Sequence, residues 1–192
     1  STLSPSSAAS DVYKRQRYLI KLTGLEVGGQ QHTARSRNDL FATEIRIDTR
    51  KVYLKLSQMF IDLRRAYLQL ARKNLDTVMS GYTHMQPSEP ITFAHYLSGV
   101  SSALARDYDR FSHAWQSLNL CPLGGCSMGS TSFPIDREYT SKLMGFDGPV
   151  QNSLDCVASR DYVLEILTAL AQTAMTMSRT ALDLYNLSLI HI

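Results

Sequence analysis

Apolar residues recur with helical spacing along three long stretches of this chain. The first stretch lies between Gly29 and Gly81, where no glycine or proline interrupts the sequence. Its apolar stripe comprises Ile45, Val52, Leu56, Met59, Leu63, Ala66 and Leu70. Steps of three, four and seven residues follow one helical face and predict a helix from about Asp39 to Val78. At about 1.5 Å per residue this helix would be ~60 Å long, a length typical of large helical bundles.

The second stretch predicts another long helix, which follows a turn-rich segment. Ser80–Pro90 contains a glycine and two prolines and predicts an irregular loop. Ser88 as N-cap and Pro90 in the first turn then predict the start of the helix. Its apolar stripe comprises Phe93, Leu97, Val100, Leu104, Tyr108, Phe111, Trp115 and Leu118.

A third long helix is predicted towards the C-terminus. Before it, the Gly- and Ser-rich segment Cys121–Ser132 predicts a loop, and Pro134–Met144 predicts a short helix that Gly145 ends. The long helix itself is predicted to start near Asn152 or Ser153. Its stripe comprises Val163, Leu167, Leu170, Ala174, Met177, Ala181 and Leu184.

These patterns predict an all-α protein built as a bundle of long helices. No run alternates with a period of two, so we expect no sheet. The stripes carry more apolar surface than three helices can hide from one another, so we expect other chains to complete the bundle. We assign the bundle domain to 39–185 and the end of an N-terminal region to 17–38. The small, polar residues 1–16 are predicted to be disordered or non-native, and 186–192 to be a non-native tail of a fragment.

Composition narrows the class of protein. A length of 192 residues allows one domain with a sizeable core, and a net charge of +3 without a basic run argues against nucleic acid or an anionic membrane as partner. No segment has the ~20 apolar residues that cross a bilayer. The three cysteines are an odd number and suit a reducing compartment. We therefore expect a cytoplasmic protein.

The segment His32–Asp39, HTARSRND, carries the densest polar chemistry and directly precedes the first long helix. The guanidinium group of arginine can bind both oxygens of a carboxylate. The N-terminus of the helix adds backbone N–H groups that have no partner within the helix. These features indicate a receptor for a small, carboxylate-rich molecule. A capped helix start with two solvated arginines explains the same residues, and the segment alone does not decide between the two.

Two further segments could contribute to a site. His84 lies in Gly81–Pro87, GYTHMQP, off the apolar stripe, where an imidazole can act as general acid or base; a surface histidine is the alternative. Asn152–Asp161, NSLDCVASRD, places Arg160 among acidic residues near a helix start, either as a structural ion pair or as an anion-binding group. No zinc-ligand spacing, phosphate-binding loop or dinucleotide fingerprint is present in the sequence.

Taken together, HTARSRND, GYTHMQPSEPITFAHY, LGGCSMGSTSFPIDRE and NSLDCVASRD resemble the argininosuccinate lyases of the aspartase/fumarase superfamily. The resemblance runs from about Arg17 to about Tyr185. It implies that this chain forms the central part of that superfamily's helical bundle. It also implies that the enzyme cleaves argininosuccinate to arginine and fumarate by elimination, without cofactor or metal. It also implies a role in arginine biosynthesis and the urea cycle.

The resemblance also assigns roles to individual residues. His84 would be the acid–base group, and Thr83 would hydrogen-bond a substrate carboxylate. The further substrate contacts would be Ser36, Arg37 and Asn38, with Gln86 supporting the loop and Arg160 organising the pocket.

Family members are homotetramers whose active sites draw on several subunits. Their catalytic serine lies on a mobile loop with a motif that this sequence does not contain, so we expect this chain alone to be inactive. The family usually has glycine at the position of Ala34, which leaves another fumarate-releasing lyase of the superfamily as an alternative. A non-catalytic structural homologue, like the lens crystallins related to this family, is a further one.

Overall fold

The computed structural model describes residue 14 and residues 16–188. Most of the predicted disordered N-terminus (1–13 and 15) and of the predicted tail (189–192) therefore lies outside the described residues. The chain divides into two compact units, which we describe separately. Unit one contains residues up to Glu44 together with Cys121–Ala158, and unit two contains Ile45–Leu120 together with the residues from Ser159 onward.

The described part of the chain is mostly helical, which confirms the predicted fold class. In chain order the elements are α1 (16–23), α2 (Leu25–Gly28), a 3-10 turn (Gly29–His32), α3 (Arg37–Lys73), β1 (Val78–Thr83), β2 (Gln86–Thr92), α4 (Phe93–Leu118), β3 (Leu120–Cys121), α5 (Arg137–Leu143), β4 (Gly148–Pro149), α6 (Ser153–Ala158) and α7 (Asp161–Ser188). Among the described residues, no helix is both long enough and apolar enough to cross a membrane.

The predicted loop at Ser80–Pro90 is wrong: these residues form an antiparallel hairpin of β1 and β2. The ladder runs from the pair Val78 and Thr92 to the pair Thr83 and Gln86, with an irregularity at Gly81. A Cβ on Gly81 would lie 2.8 Å from the carbonyl oxygen of Glu89, so the close approach of the strands requires glycine here. The expectation of no sheet was therefore wrong as well.

Two prolines, Pro87 and Pro90, are the reason that this segment was predicted to be a loop. A two-stranded hairpin consists of edge strands only, so Pro87 and Pro90 do not interrupt a central ladder. The N-cap of α4 is accordingly Thr92, whose hydroxyl accepts a 3.1 Å hydrogen bond from the backbone N–H of His95. The predicted start of this helix at Ser88 and Pro90 was wrong by several residues.

The core of unit two forms where α3, α4 and α7 pack together. The predicted stripe of α4 is confirmed, because Leu97, Leu104, Phe111 and Leu118 are almost fully buried. Tyr53 of α3 stacks on Phe111 with ring centroids 4.3 Å apart and donates its phenol hydrogen to the Phe111 carbonyl at 3.0 Å.

The predicted stripes of α3 and α7 coincide only in part with the faces that pack in this core. Their members Ile45, Leu56, Val163 and Leu170 pack against it as partly buried residues. In α3, Val52 and Met59 are 58% and 57% exposed, whereas the next residues, Tyr53 and Phe60, are buried. In α7, Leu167 is 55% exposed. The buried residues of that helix are Tyr162, Ile166, Ala169 and Thr180. Each helix thus has an aliphatic face beside its packed face.

The predicted short helix starts later than expected, and the last predicted helix starts at Ser153 as expected but is divided. The predicted short helix is confirmed as α5, although it starts only after Asp136, whose side chain accepts a 2.8 Å bond from the Tyr139 N–H. Gly145 ends it with φ +68°. The predicted single helix from Asn152 or Ser153 is wrong: it is α6 and α7, separated at Ser159 and Arg160.

Candidate active site

The predicted substrate contacts Ser36, Arg37 and Asn38 lie at the N-terminus of α3 in unit one. The Ser36 hydroxyl accepts a 3.2 Å hydrogen bond from the Asn38 N–H, and the carboxylate of Asp39 accepts a 3.1 Å bond from the Ser36 N–H. This reciprocal pair is a capping box with Asp in the usual place of Glu. Arg37 and Asn38 remain exposed. The helix-start interpretation of this segment is therefore confirmed, and its polar side chains stand at the positive end of the helix dipole.

A single buried carboxylate fastens a loop to this N-terminus. Asp39 is fully buried, and its Oδ2 atom accepts hydrogen bonds from the N–H groups of Gly124 and Cys126, both at 3.0 Å. Gly124 and Cys126 have φ of +91° and +54°, so the backbone folds into a concave arrangement of N–H donors. We refer to residues 123–130 as the serine–glycine loop.

The serine–glycine loop also contacts Ser36 and Asn38 directly. We refer to the predicted substrate contacts Ser36, Arg37 and Asn38 as the substrate clamp. The side-chain amide of Asn38 donates to the carbonyl of Ser127 at 3.2 Å, and the hydroxyls of Ser127 and Ser36 lie 3.4 Å apart. The Cys126 thiol donates to the carbonyl of Ala34 at 3.1 Å. Ser36, Asn38 and Ser127 therefore form one cluster at the surface of unit one.

Arg137 holds the base of the serine–glycine loop. Its guanidinium donates to the carbonyls of Leu123 and Gln151, both at 3.4 Å, to the carbonyl of Val150, and to the Cys156 thiol at 3.1 Å. Burial raises the pKa of the Cys156 thiol, although Arg137 opposes the shift.

Burial and the charge of Asp39 raise the pKa of the Cys126 thiol as well. Protonated thiols are poor nucleophiles, so these cysteines serve packing and hydrogen bonding. Within residue 14 and residues 16–188, no group of three His, Cys, Asp or Glu side chains is arranged to hold a metal ion.

The second predicted group, Thr83, His84 and Gln86, lies at the tip of the hairpin in unit two. His84 and Met85 form its two-residue turn, with φ of +50° and +61°. Two positive φ values are typical of a type I′ turn, which favours Asn and Gly over bulky residues. Thr83 and Gln86 are directly paired, so their side chains share one face of the hairpin. All of these side chains are exposed.

The third predicted residue, Arg160, lies at the break between α6 and α7, and its guanidinium donates to the Ser159 carbonyl at 2.6 Å. In unit two a second arginine stabilises this break. The buried guanidinium of Arg46 donates to the Ser159 hydroxyl at 3.2 Å and lies 4.2 Å from the ring centre of Tyr162. The break is thus held by contacts from α3.

The structure brings the predicted residues together in groups. Ser36 and Asn38 share one cluster, Thr83, His84 and Gln86 share the hairpin tip, and Arg160 marks the helix break. Their catalytic and binding roles remain predictions.

Four residues were not predicted: Asp39, Ser127, Arg137 and Arg46. Only Asp39 had a usable signal, the Ser-x-x-acid spacing of a capping box. The contacts of the others join segments that are distant in sequence.

The comparisons with known proteins cover almost the whole chain. A family model described as "Lyase" matches residues 6–189. Argininosuccinate lyase 1 of Shouchella clausii is 46% identical over 185 residues, which cover 96% of this chain and 37% of that protein. Argininosuccinate lyase of Methanosarcina mazei is 42% identical over 166 residues, which cover 86% of this chain and 34% of that protein. The chain thus spans little more than a third of the length of these relatives.

A solved structure agrees with the sequence comparisons. An EDDS lyase variant with bound fumarate matches with a TM-score of 0.82 and 37% identity, covering 95% of this chain and 38% of that one. This likeness confirms the predicted architecture of long helices.

Proposed function

This chain belongs to the lyase family, and we propose that it is the central segment of an argininosuccinate lyase. The whole protein would cleave argininosuccinate to arginine and fumarate by α,β-elimination, as a cytoplasmic enzyme of arginine metabolism. The observation that carries this proposal is the 46% identity to an argininosuccinate lyase over 96% of the chain. The exposed polar clusters at the predicted positions support it.

The reaction sets the requirements for the site. A proton leaves the carbon next to a carboxylate, its electron pair forms the new carbon–carbon double bond, and the carbon–nitrogen bond breaks. The departing guanidino nitrogen then takes a proton. Such a site needs a base, an acid and donors for several carboxylates, and it needs no cofactor.

In this proposal the N-terminus of α3 binds a substrate carboxylate. Arg37 supplies a guanidinium that can bind both carboxylate oxygens, and the Asn38 amide and the Ser36 hydroxyl can supply further hydrogen bonds. Arg37 and Asn38 are exposed, so an anion can reach them.

The hairpin tip supplies the proton-transfer group. His84 is the acid–base residue, because an imidazole both accepts and donates protons near neutral pH. Thr83 donates a hydrogen bond to a carboxylate, and Gln86 supports the turn from the paired position. The left-handed backbone of His84 and Met85 is the kind of strain that proteins retain at functional sites. Arg160 contributes positive charge to the pocket.

We further propose that the whole protein is a homotetramer with shared active sites. The aliphatic faces of α3 and α7, which include Val52, Met59 and Leu167, are exposed in this chain and suit packing between copies. A segment beyond this chain would add the mobile-loop serine, so the chain alone should not turn over substrate.

The experiment follows fumarate release by absorbance, with argininosuccinate as substrate. The full-length protein should be active and the 192-residue chain inactive. His84→Asn in the full-length protein should lower kcat by about 100-fold or more, because it removes the proton-transfer group. His113→Asn is the matched control, since His113 is also an exposed histidine and lies on α4. Normal turnover by the His84 variant would remove this residue from the mechanism.

A second candidate is a lyase that releases fumarate from another amine adduct. The fold shared with EDDS lyase at a TM-score of 0.82 favours it, as does Ala34 in HTARSRND, where argininosuccinate lyases usually have glycine. Assays of the full-length protein with argininosuccinate, EDDS, adenylosuccinate and aspartate would separate the two. If none is cleaved, calorimetry with fumarate would distinguish a non-catalytic homologue from an enzyme with another substrate.

A further inference from the structure

We propose that Asp39 is the positioning residue of the substrate clamp, acting through the serine–glycine loop and not by touching substrate. This inference rests on the proposed function for the identity of the substrate. It assigns a role to a fully buried carboxylate that the elimination chemistry does not use.

The Asp39 carboxylate connects the start of α3 to the serine–glycine loop. It accepts three hydrogen bonds, from the N–H groups of Ser36, Gly124 and Cys126, at 3.0–3.1 Å. Its Oδ1 atom accepts the bond from Ser36 at the start of α3, and its Oδ2 atom accepts the two bonds from the loop. A buried carboxylate is expensive unless such donors satisfy it, so the charge holds both segments in one arrangement.

The anchored loop in turn contacts two residues of the substrate clamp, Ser36 and Asn38. Ser127 directly follows Cys126, and its backbone carbonyl accepts a 3.2 Å hydrogen bond from the side-chain amide of Asn38. The Ser127 hydroxyl lies 3.4 Å from that of Ser36. The loop therefore fixes the rotamer of Asn38, and the N-cap bond fixes Ser36, so that both polar groups face a substrate in one orientation.

The serine–glycine loop is held in a backbone conformation that its residues do not favour. Cys126 and Ser130 both have positive φ, at +54° and +61°, although neither is glycine. Such conformations persist only where the surroundings determine them. Gly125 has no room for a side chain, because a Cβ there would lie 2.6 Å from the Cβ of Cys156. The carboxylate of Asp39 supplies two of the contacts that hold this conformation.

The test is Asp39→Asn in the full-length protein, which keeps the shape of the side chain and replaces one acceptor oxygen by a donor. We expect KM for argininosuccinate to rise about tenfold while kcat changes by less than about threefold, because ground-state binding is what the clamp supplies. Hydrogen exchange should become faster in peptides covering 34–38 and 123–130. Asp48→Asn is the matched control on the same helix, since Asp48 is exposed and pairs with Lys51.

A variant with a lower melting temperature and an unchanged KM would assign Asp39 a purely structural role and overturn the proposal. If Asp39→Asn does not fold, Ser127→Gly tests the same connection, because it loosens the carbonyl that holds Asn38. Ser127→Gly should raise KM about threefold. Ser132→Gly is its control, since Ser132 is also exposed, and equal KM values for the two variants would contradict the proposed role of the loop.

The two proposals can fail separately. If the wild-type protein does not cleave argininosuccinate, the proposed function fails. Hydrogen exchange and the Kd for fumarate, measured by calorimetry on wild type and Asp39→Asn, then still decide the role of Asp39. Equal exchange and equal Kd would overturn it, and faster exchange with weaker binding would support it.

Discussion

Replacing Arg46 by Met should destabilise unit two strongly. The Arg46 guanidinium is buried, donates to the carbonyls of Ser117 and Leu118 at 2.6 and 3.1 Å, and lies 4.2 Å from the ring centre of Tyr162. Both carbonyls belong to the last turn of α4, where no intrahelical N–H reaches them. Met fills a similar volume and provides no donor, so both carbonyls would lose these charged partners.

The size of the effect follows from these contacts. Hydrogen bonds to a charged group contribute about 1.5–3 kcal/mol each, and a desolvated cation–π contact about 2 kcal/mol. The cost of burying the guanidinium offsets part of this sum. We therefore expect the free energy of unfolding to fall by about 3–5 kcal/mol, as when a buried charged network loses one partner.

Urea unfolding of the 192-residue chain measures this change. Trp115 is the only tryptophan and lies against the core of unit two, 5.2 Å from the ring of Tyr53, so its fluorescence reports on this unit. With a slope of about 2 kcal/mol per M, the midpoint should fall by about 2 M. Arg65→Met is the control, since Arg65 forms only an exposed pair with Asp62 and should change stability by less than about 1 kcal/mol. If Arg46→Met lowers the free energy of unfolding by less than about 1 kcal/mol, the inference that Arg46 stabilises the C-terminal end of α4 is refuted.

Two further predictions concern stability. Ala34→Gly should raise the free energy of unfolding by about 1 kcal/mol in urea melts, because Ala34 has φ +53° and glycine adopts this conformation without steric cost; equal or lower stability would contradict the strain. For Tyr53, burial raises the phenol pKa from 10.0 to about 12, so only the unfolded state releases this proton between these pH values. Stability should therefore be retained below pH 10 and fall by about 3 kcal/mol as the pH rises to about 12, and Tyr53→Phe should remove this part of the alkaline loss in melts recorded against pH.

The long helices could be predicted because their patterns are local. Leu97, Leu104, Phe111 and Leu118 repeat at steps of seven along α4, and the structure buries all four. The hairpin could not be predicted in this way. In the described part of the chain its strands pair only with each other, and Pro87 and Pro90 are tolerated because no further strand requires an N–H donor at these positions.

The candidate site shows the same division between local and distant information. The exposed polar residues of HTARSRND and GYTHMQP were identified from their composition, and the capping of α3 by Ser36 follows from a spacing of three residues. The contact of Asn38 with Ser127 joins residues 89 positions apart, and that of Arg46 with Ser159 joins residues 113 positions apart. Such pairs depend on the tertiary fold, so no pattern in a single sequence predicts them.

The offset between the predicted and the packed faces of α3 and α7 has one physical explanation. Hydropathy patterns weight aliphatic residues, whereas the core of unit two uses Tyr53, Phe60 and Tyr162, with Thr180 further along α7. The Tyr53 phenol is satisfied within one chain, because it donates to the Phe111 carbonyl, whereas no hydrogen-bond partner in the described part of the chain reaches the buried Tyr162 hydroxyl. The aliphatic faces have no such requirement and can pack against another copy without a matching polar partner. In α3 and α7, the exposed aliphatic residues such as Val52, Met59 and Leu167 are therefore expected where chains meet, and the mixed faces where one chain packs on itself.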